Sequence, residues 1–169
     1  MFATVSATPP AGAAPLGSIE VAHRDGAGST TVAFWSDEAS APAGERVYRL
    51  VDVLEGRAAG RAPLFGQVVW VNDAGDPAVA DAAERGGRER IDPAVRDVEG
   101  LVGVLVFRSA DHRIVVVGTS TSLETQTEVQ DRIRRTPLLP GEDPALLPGY
   151  DRLEVGRVLR ADLPQAVWS

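Results

Sequence analysis

The sequence predicts an α+β fold built from ferredoxin-like antiparallel sheets, complete in the second half of the chain and truncated in the first. Three observations carry this. From residue 64 onward the pattern reads strand, helix, strand, strand, helix, strand, the order of a split βαβ unit. The strands of that unit are apolar on consecutive residues, so both faces of the sheet need cover. An apolar-rich segment, 18–56, precedes it and is too small to form a core of its own.

The chain divides into a flexible leader (1–17), the truncated half (18–56), the complete half (62–160) and a tail (161–169). The leader is rich in Ala, Pro and Gly, which bury little surface and favour no regular structure. In 18–35, Ile19–Arg24 and Thr30–Trp35 read as a hairpin, because the intervening "DGAGS" supplies residues tolerant of positive φ. "SDEASAPAGE" follows with at most a helical turn or two, and "VYRLVDVLEG" (47–56) has strand character. This segment is read as a second copy that lacks its first strand and helix.

In the complete half, "APLFGQVVWVND" (62–73) is the first strand. Asp76 is an N-cap with Pro77 at the first helical position, where a missing N–H costs nothing. The helical pattern runs through 76–97, with Gly86–Gly87 and Pro93 predicting a kink. Leu101–Phe107 and Arg113–Gly118 form a hairpin about "SADH". "TSLE" (121–124) is a capping box, opening a helix to Arg135. Proline-rich 136–149 is an irregular connection, and the last strand lies within 150–159. Val104, Leu105, Val106, Val115, Val116 and Val117 are all expected to be buried, with neighbours from both faces.

Composition narrows the function classes. The chain is acidic, with net charge −7, which argues against a nucleic-acid partner because phosphate binding needs a basic footprint. Every basic residue is Arg and there is no Cys, which removes thiolate chemistry, disulfides and Cys-ligated metals. No apolar run reaches the ~18 residues of a membrane span. The opening lacks a secretory pattern, so a cytoplasmic location is expected, with no membrane partner.

The stretch "DVEGLVGVLVFRSADHRIVVVGTSTSLE" resembles the dimeric α+β barrel superfamily, specifically its antibiotic biosynthesis monooxygenase-like branch. The resemblance covers 64–160 as a full unit and 18–56 as a partial, degenerate tandem one. It implies an α+β barrel in which two sheets pack face to face. One chain then closes its own barrel as a monomeric pseudo-dimer, or two chains pair as a homodimer. It also implies a small apolar ligand held inside the barrel, and the family includes cofactor-independent monooxygenases and haem-degrading enzymes. The haem-degrading relatives place an axial His on the second helix; residues 122–135 contain none, so no cofactor is expected.

Four candidate ligand-binding residues follow. Some oxygenases of this family use an Asn near the end of the first strand and a Trp near the end of the third. Asn72 matches the first position, and Trp35 the second by way of the partial copy. Trp70 shares a strand face with Asn72 by period two. A tryptophan wall and an amide would hold a flat molecule and hydrogen-bond its carbonyl. His23, on a strand, is the remaining candidate. Each also has a purely structural explanation, with Trp70 in the core and Asn72 capping the turn before Gly75. No residue is assigned a catalytic role and no metal set is present. The sequence leaves open a monooxygenase-like enzyme and a non-catalytic ligand-binding or assembly domain.

Overall fold

The computed structural model describes residues 1–8 and 14–167. Its strands are β1 (Phe2–Ser6), β2 (Gly17–Ala22), β3 (Ser29–Trp35), β4 (Val47–Glu55), β5 (Phe65–Val71), β6 (Leu101–Ser109), β7 (Ile114–Ser120) and β8 (Arg152–Asp162). The helices are α1 (Pro77–Gly86), α2 (Asp92–Val95) and α3 (Leu123–Arg135), with a π-helical turn over Gly87–Ile91 joining the first two. All eight strands pair antiparallel in one closed barrel, in the order β1-β3-β2-β8-β5-β7-β6-β4.

The complete half has the order β8-β5-β7-β6, that of a ferredoxin-like unit, with both helical segments on the outer face. Asp76 caps α1 by accepting from the backbone N–H of Ala78 at 2.8 Å, and Ser122 caps α3 by accepting from Thr125 N–H at 3.1 Å. The kink expected near Gly86–Gly87 and Pro93 takes the form of the π turn. Pro93 has no N–H to continue the ladder, and the Asp92 N–H reaches back five residues to the Gly87 carbonyl.

The two faces of the central hairpin are covered by different things. Leu105, Phe107, Val115 and Val117 point into the barrel, where they meet Ile19, Val32 and Phe34 from the first half. The Phe34 and Phe107 rings lie 6.1 Å apart, tilted, and tie the two halves through the centre. Val104, Val106 and Val116 face the helices and are only half-buried, because they line a cavity. The expectation that all six hairpin residues are buried therefore holds for Leu105, Val115 and Val117, and fails for the three valines on the helical side.

The leader and the first half differ from the reading above. Residues 1–17 are not a wholly unstructured leader, since Phe2–Ser6 is β1, an inner strand paired to β3 and β4. Ala3 is fully buried in the barrel core. A five-residue strand with an Ala inside leaves little trace in composition, and its partners lie 25 to 47 residues away in sequence by register. Residues 9–13 of the leader lie outside the described residues. The tail also differs: β8 runs to Asp162, and Val167 is buried against the barrel core. Residues 168–169 of that tail lie outside the described residues.

Two seams join the halves, β2 with β8 and β4 with β6. At the first, a Cβ on Gly156 would run into the carbonyl oxygen of Ala22. Backbone meets backbone there, so neither partner can rotate away. Gly156→Ala is expected to destabilise the protein by about 1–3 kcal/mol, the range for forced overpacking. Denaturant titration measures it, and a loss near zero would mean the seam is looser than described.

Candidate functional site

A cavity of about 280 Å³ lies between the outer face of β5, β6 and β7 and the helical layer. Strand alternation builds one wall from Val69, Val71, Val104, Val106, Ile114 and Val116. Val79, Ile91, Val95, Val129 and Ile133 from the helical layer build the other. The segment Leu146–Tyr150 of the proline-rich connection closes one side. A broader depression of about 620 Å³ along Val53–Arg57 and Arg96 is more open to solvent.

Few polar groups enter this apolar space. Gln67 on β5 is buried, and its side-chain oxygen accepts a hydrogen bond from Gln130 Nε2 of α3 at 2.9 Å. Arg90 on the π turn forms an ion pair with Glu142 at 2.8 Å, with both side chains 9% exposed. Glu142 also accepts the Leu139 N–H at 2.7 Å, which fixes the connection that walls the cavity. Arg88 bridges Glu84 at 3.0 Å and Asp52 at 3.5 Å, and Glu84 also takes Arg108 at 2.8 Å.

Asp92 stands apart from these pairs. It sits where the π turn passes into α2 and is one of the residues that line the cavity. Burial pushes its pKa up to about 6, and the charge of Asp52 adds to this, while Arg96 and Arg88 pull the other way. A carboxyl whose pKa is raised on folding destabilises the folded state as pH rises from the ordinary aspartate range through about 6. Asp92→Asn is therefore expected to stabilise the protein at pH about 8 and to change little at pH about 4. With solvent screening at this half-buried position, the gain is on the order of 1 kcal/mol. Denaturant titrations at the two pH values measure it, and an equal effect at both would contradict the assignment.

The four residues singled out from sequence are not brought together, and none lines this cavity. Trp35 is buried on β3, its Nε1–H donating to Thr4 Oγ1 at 3.1 Å. Trp70 packs against the barrel core with the Arg152 guanidinium 4.4 Å above its ring. Asn72 has φ +63° and holds a turn: Nδ2 donates to the carbonyls of Asp76 at 2.7 Å and His112 at 2.8 Å. His23 lies 2.9 Å from Thr30 Oγ1 across the β2–β3 hairpin. The enclosed space expected between the two halves is instead filled by side chains, because both inner faces carry large apolar residues in register.

Sequence reasoning missed Asp52, Arg90, Asp92, Gln130 and the pairing of Glu142, which reads in sequence as a solvated loop acid. The available signals were an Asp before a proline inside a helical pattern and a Gln inside an apolar strand. Among the described residues no group of three His, Asp or Glu side chains could hold a metal ion, and no helix is long and apolar enough to cross a membrane.

The chain has a ferredoxin-like fold similar to that of solved structures of antibiotic biosynthesis monooxygenase-like proteins. No family model and no curated protein matches the sequence. Among solved structures, an uncharacterised ferredoxin-fold protein related to antibiotic biosynthesis monooxygenases from Listeria monocytogenes matches with TM-score 0.51 at 8% identity, over 94% of each chain. A monooxygenase-like protein from Listeria innocua matches with TM-score 0.51 at 7% identity, over 93% of this chain and 92% of its own. A major regulator of staphylococcal pathogenesis matches with TM-score 0.59 at 8% identity, over 94% of this chain and 98% of its own.

Proposed function

We propose that the protein binds a small, mainly apolar molecule in the cavity between β5–β7 and the helical layer, and acts on it as a cofactor-independent, monooxygenase-like enzyme. The observation that carries this is the cavity itself. It is a mainly apolar space, open to solvent on one side and walled by half-buried valines, where close packing would otherwise be the rule. The likeness in fold to monooxygenase-like proteins supports the reaction class.

The arrangement of the first half supports a second part of the proposal. Its order β4-β1-β3-β2 matches β8-β5-β7-β6 position by position. We read it as a degenerate second copy whose helices have become loops, so that one chain completes the barrel as a monomeric pseudo-dimer. Its task is then structural: it covers the inner face.

Two measurements on the full chain test the reading. A neutral naphthalene-type fluorophore is expected to bind the wild type, and Val116→Phe, which fills the cavity, is expected to abolish binding while thermal melting shows a folded protein. Oxygen uptake with anthrone, a flat and readily oxidised tricyclic ketone, tests turnover. Binding without oxygen uptake would support a non-catalytic ligand-binding domain instead. Binding unchanged in Val116→Phe would remove the site.

A further inference from the structure

We propose that the cavity is built for an amphipathic amine, its apolar body against the valine walls and its ammonium group on the carboxylate of Asp92. This rests on the cavity reading above and adds the chemical class of the ligand.

The inference comes from the charges in and around the cavity. Arg90 is held by Glu142 at 2.8 Å, and both are nearly enclosed. Arg88 is shared between Glu84 and Asp52, and Arg108 sits on Glu84 and Asp81 at 2.8 and 2.7 Å. Among the described residues Asp92 makes no side-chain hydrogen bond and no ion pair, so it is the cavity's one carboxylate without a direct partner. A half-buried carboxylate beside apolar walls, with no direct partner, is a ready seat for a ligand cation. A neutral hydroxyl would leave the charge in place. An anionic ligand would face both Asp92 and Asp52, with every nearby guanidinium engaged elsewhere or, for Arg96 just after α2, exposed to solvent. The charged groups acting on Asp92 are Asp52 from β4, Arg88 from the π turn and Arg96 at the C-terminal cap of α2. Burial and Asp52 hold its pKa at about 6, so it is mostly ionised at neutral pH and becomes protonated as pH falls below that value. The alkylammonium of the ligand keeps its proton throughout this range.

Calorimetry on the full chain with three isosteric probes, naphthylmethylamine, naphthylmethanol and naphthoate, tests this. At pH about 8 the amine is expected to bind at least about tenfold more tightly than the alcohol, with naphthoate weakest. The preference is expected to shrink at pH about 5, and to vanish in Asp92→Asn with alcohol binding retained. Equal affinity of amine and alcohol for the wild type overturns the amine assignment and leaves the cavity reading intact. Failure of both probes to bind overturns the cavity reading, and this proposal with it. A preference that persists in Asp92→Asn, or at pH about 5, shows that another group makes the selection. The wild-type pH series decides the matter by itself if the variant does not fold.

Discussion

Phe107→Ala is expected to destabilise the protein by about 3–5 kcal/mol, the range for truncating a fully buried aromatic residue. Phe107 is completely buried at the centre of the barrel, against Phe34 from the opposite half. Its removal leaves a void that strands paired on both sides cannot close, because the barrel is a continuous ladder. Val116→Ala, adjacent in the strand to the barrel-facing Val115 and Val117 but on the cavity side, is expected to cost about 1 kcal/mol or less, since its side chain already borders empty space. Urea titration of both variants measures the difference. Equal losses would mean that the interior and the helical side are packed alike, which would contradict the placement of the cavity.

Glu142→Ala is the second large effect, expected at about 3–5 kcal/mol because it leaves the Arg90 guanidinium enclosed without its partner. It also frees the Leu139 N–H, and with it the connection that carries Leu146–Tyr150 along the cavity. The ligand-binding consequence is separable from the stability loss. Affinity for a neutral apolar probe is expected to fall under conditions where circular dichroism shows the variant folded. A double variant, Arg90→Met with Glu142→Leu, removes both charges and is expected to recover most of the stability, since a buried pair and an apolar replacement of similar volume are often close in energy. A single variant as stable as the wild type would show that the pair is wetter than its exposure indicates.

The π turn connects these observations to the chain. Gly86–Gly87 and Pro93 weaken the α-helical ladder, and the wider turn brings Arg90, Ile91 and Asp92 to the cavity together. Sequence reasoning reached the break itself from those glycines and that proline. It could not reach the direction in which the residues beyond the break would face, because a helix widened by one residue per turn rotates everything after it.

The same division runs through the molecule. The sequence determined the complete half: strand alternation, the Asp76 and Ser122 caps and the glycine-punctuated hairpin are local signals, and they led to the observed order of strands and helices. It also required that both faces of the sheet be covered. Only the tertiary structure decided what covers each face. The inner face met a first half whose β1 has almost no local signature, and large apolar side chains filled the space where a ligand had been expected beside Trp35 and Trp70. The outer face met helices that do not pack down completely, so the cavity formed there, with Asp92, Arg90 and Gln67 at its edges. The reason is physical. Secondary structure follows from interactions within a few residues, whereas a cavity is the volume left between surfaces brought together from distant parts of the chain. Its location depends on how well those surfaces interdigitate.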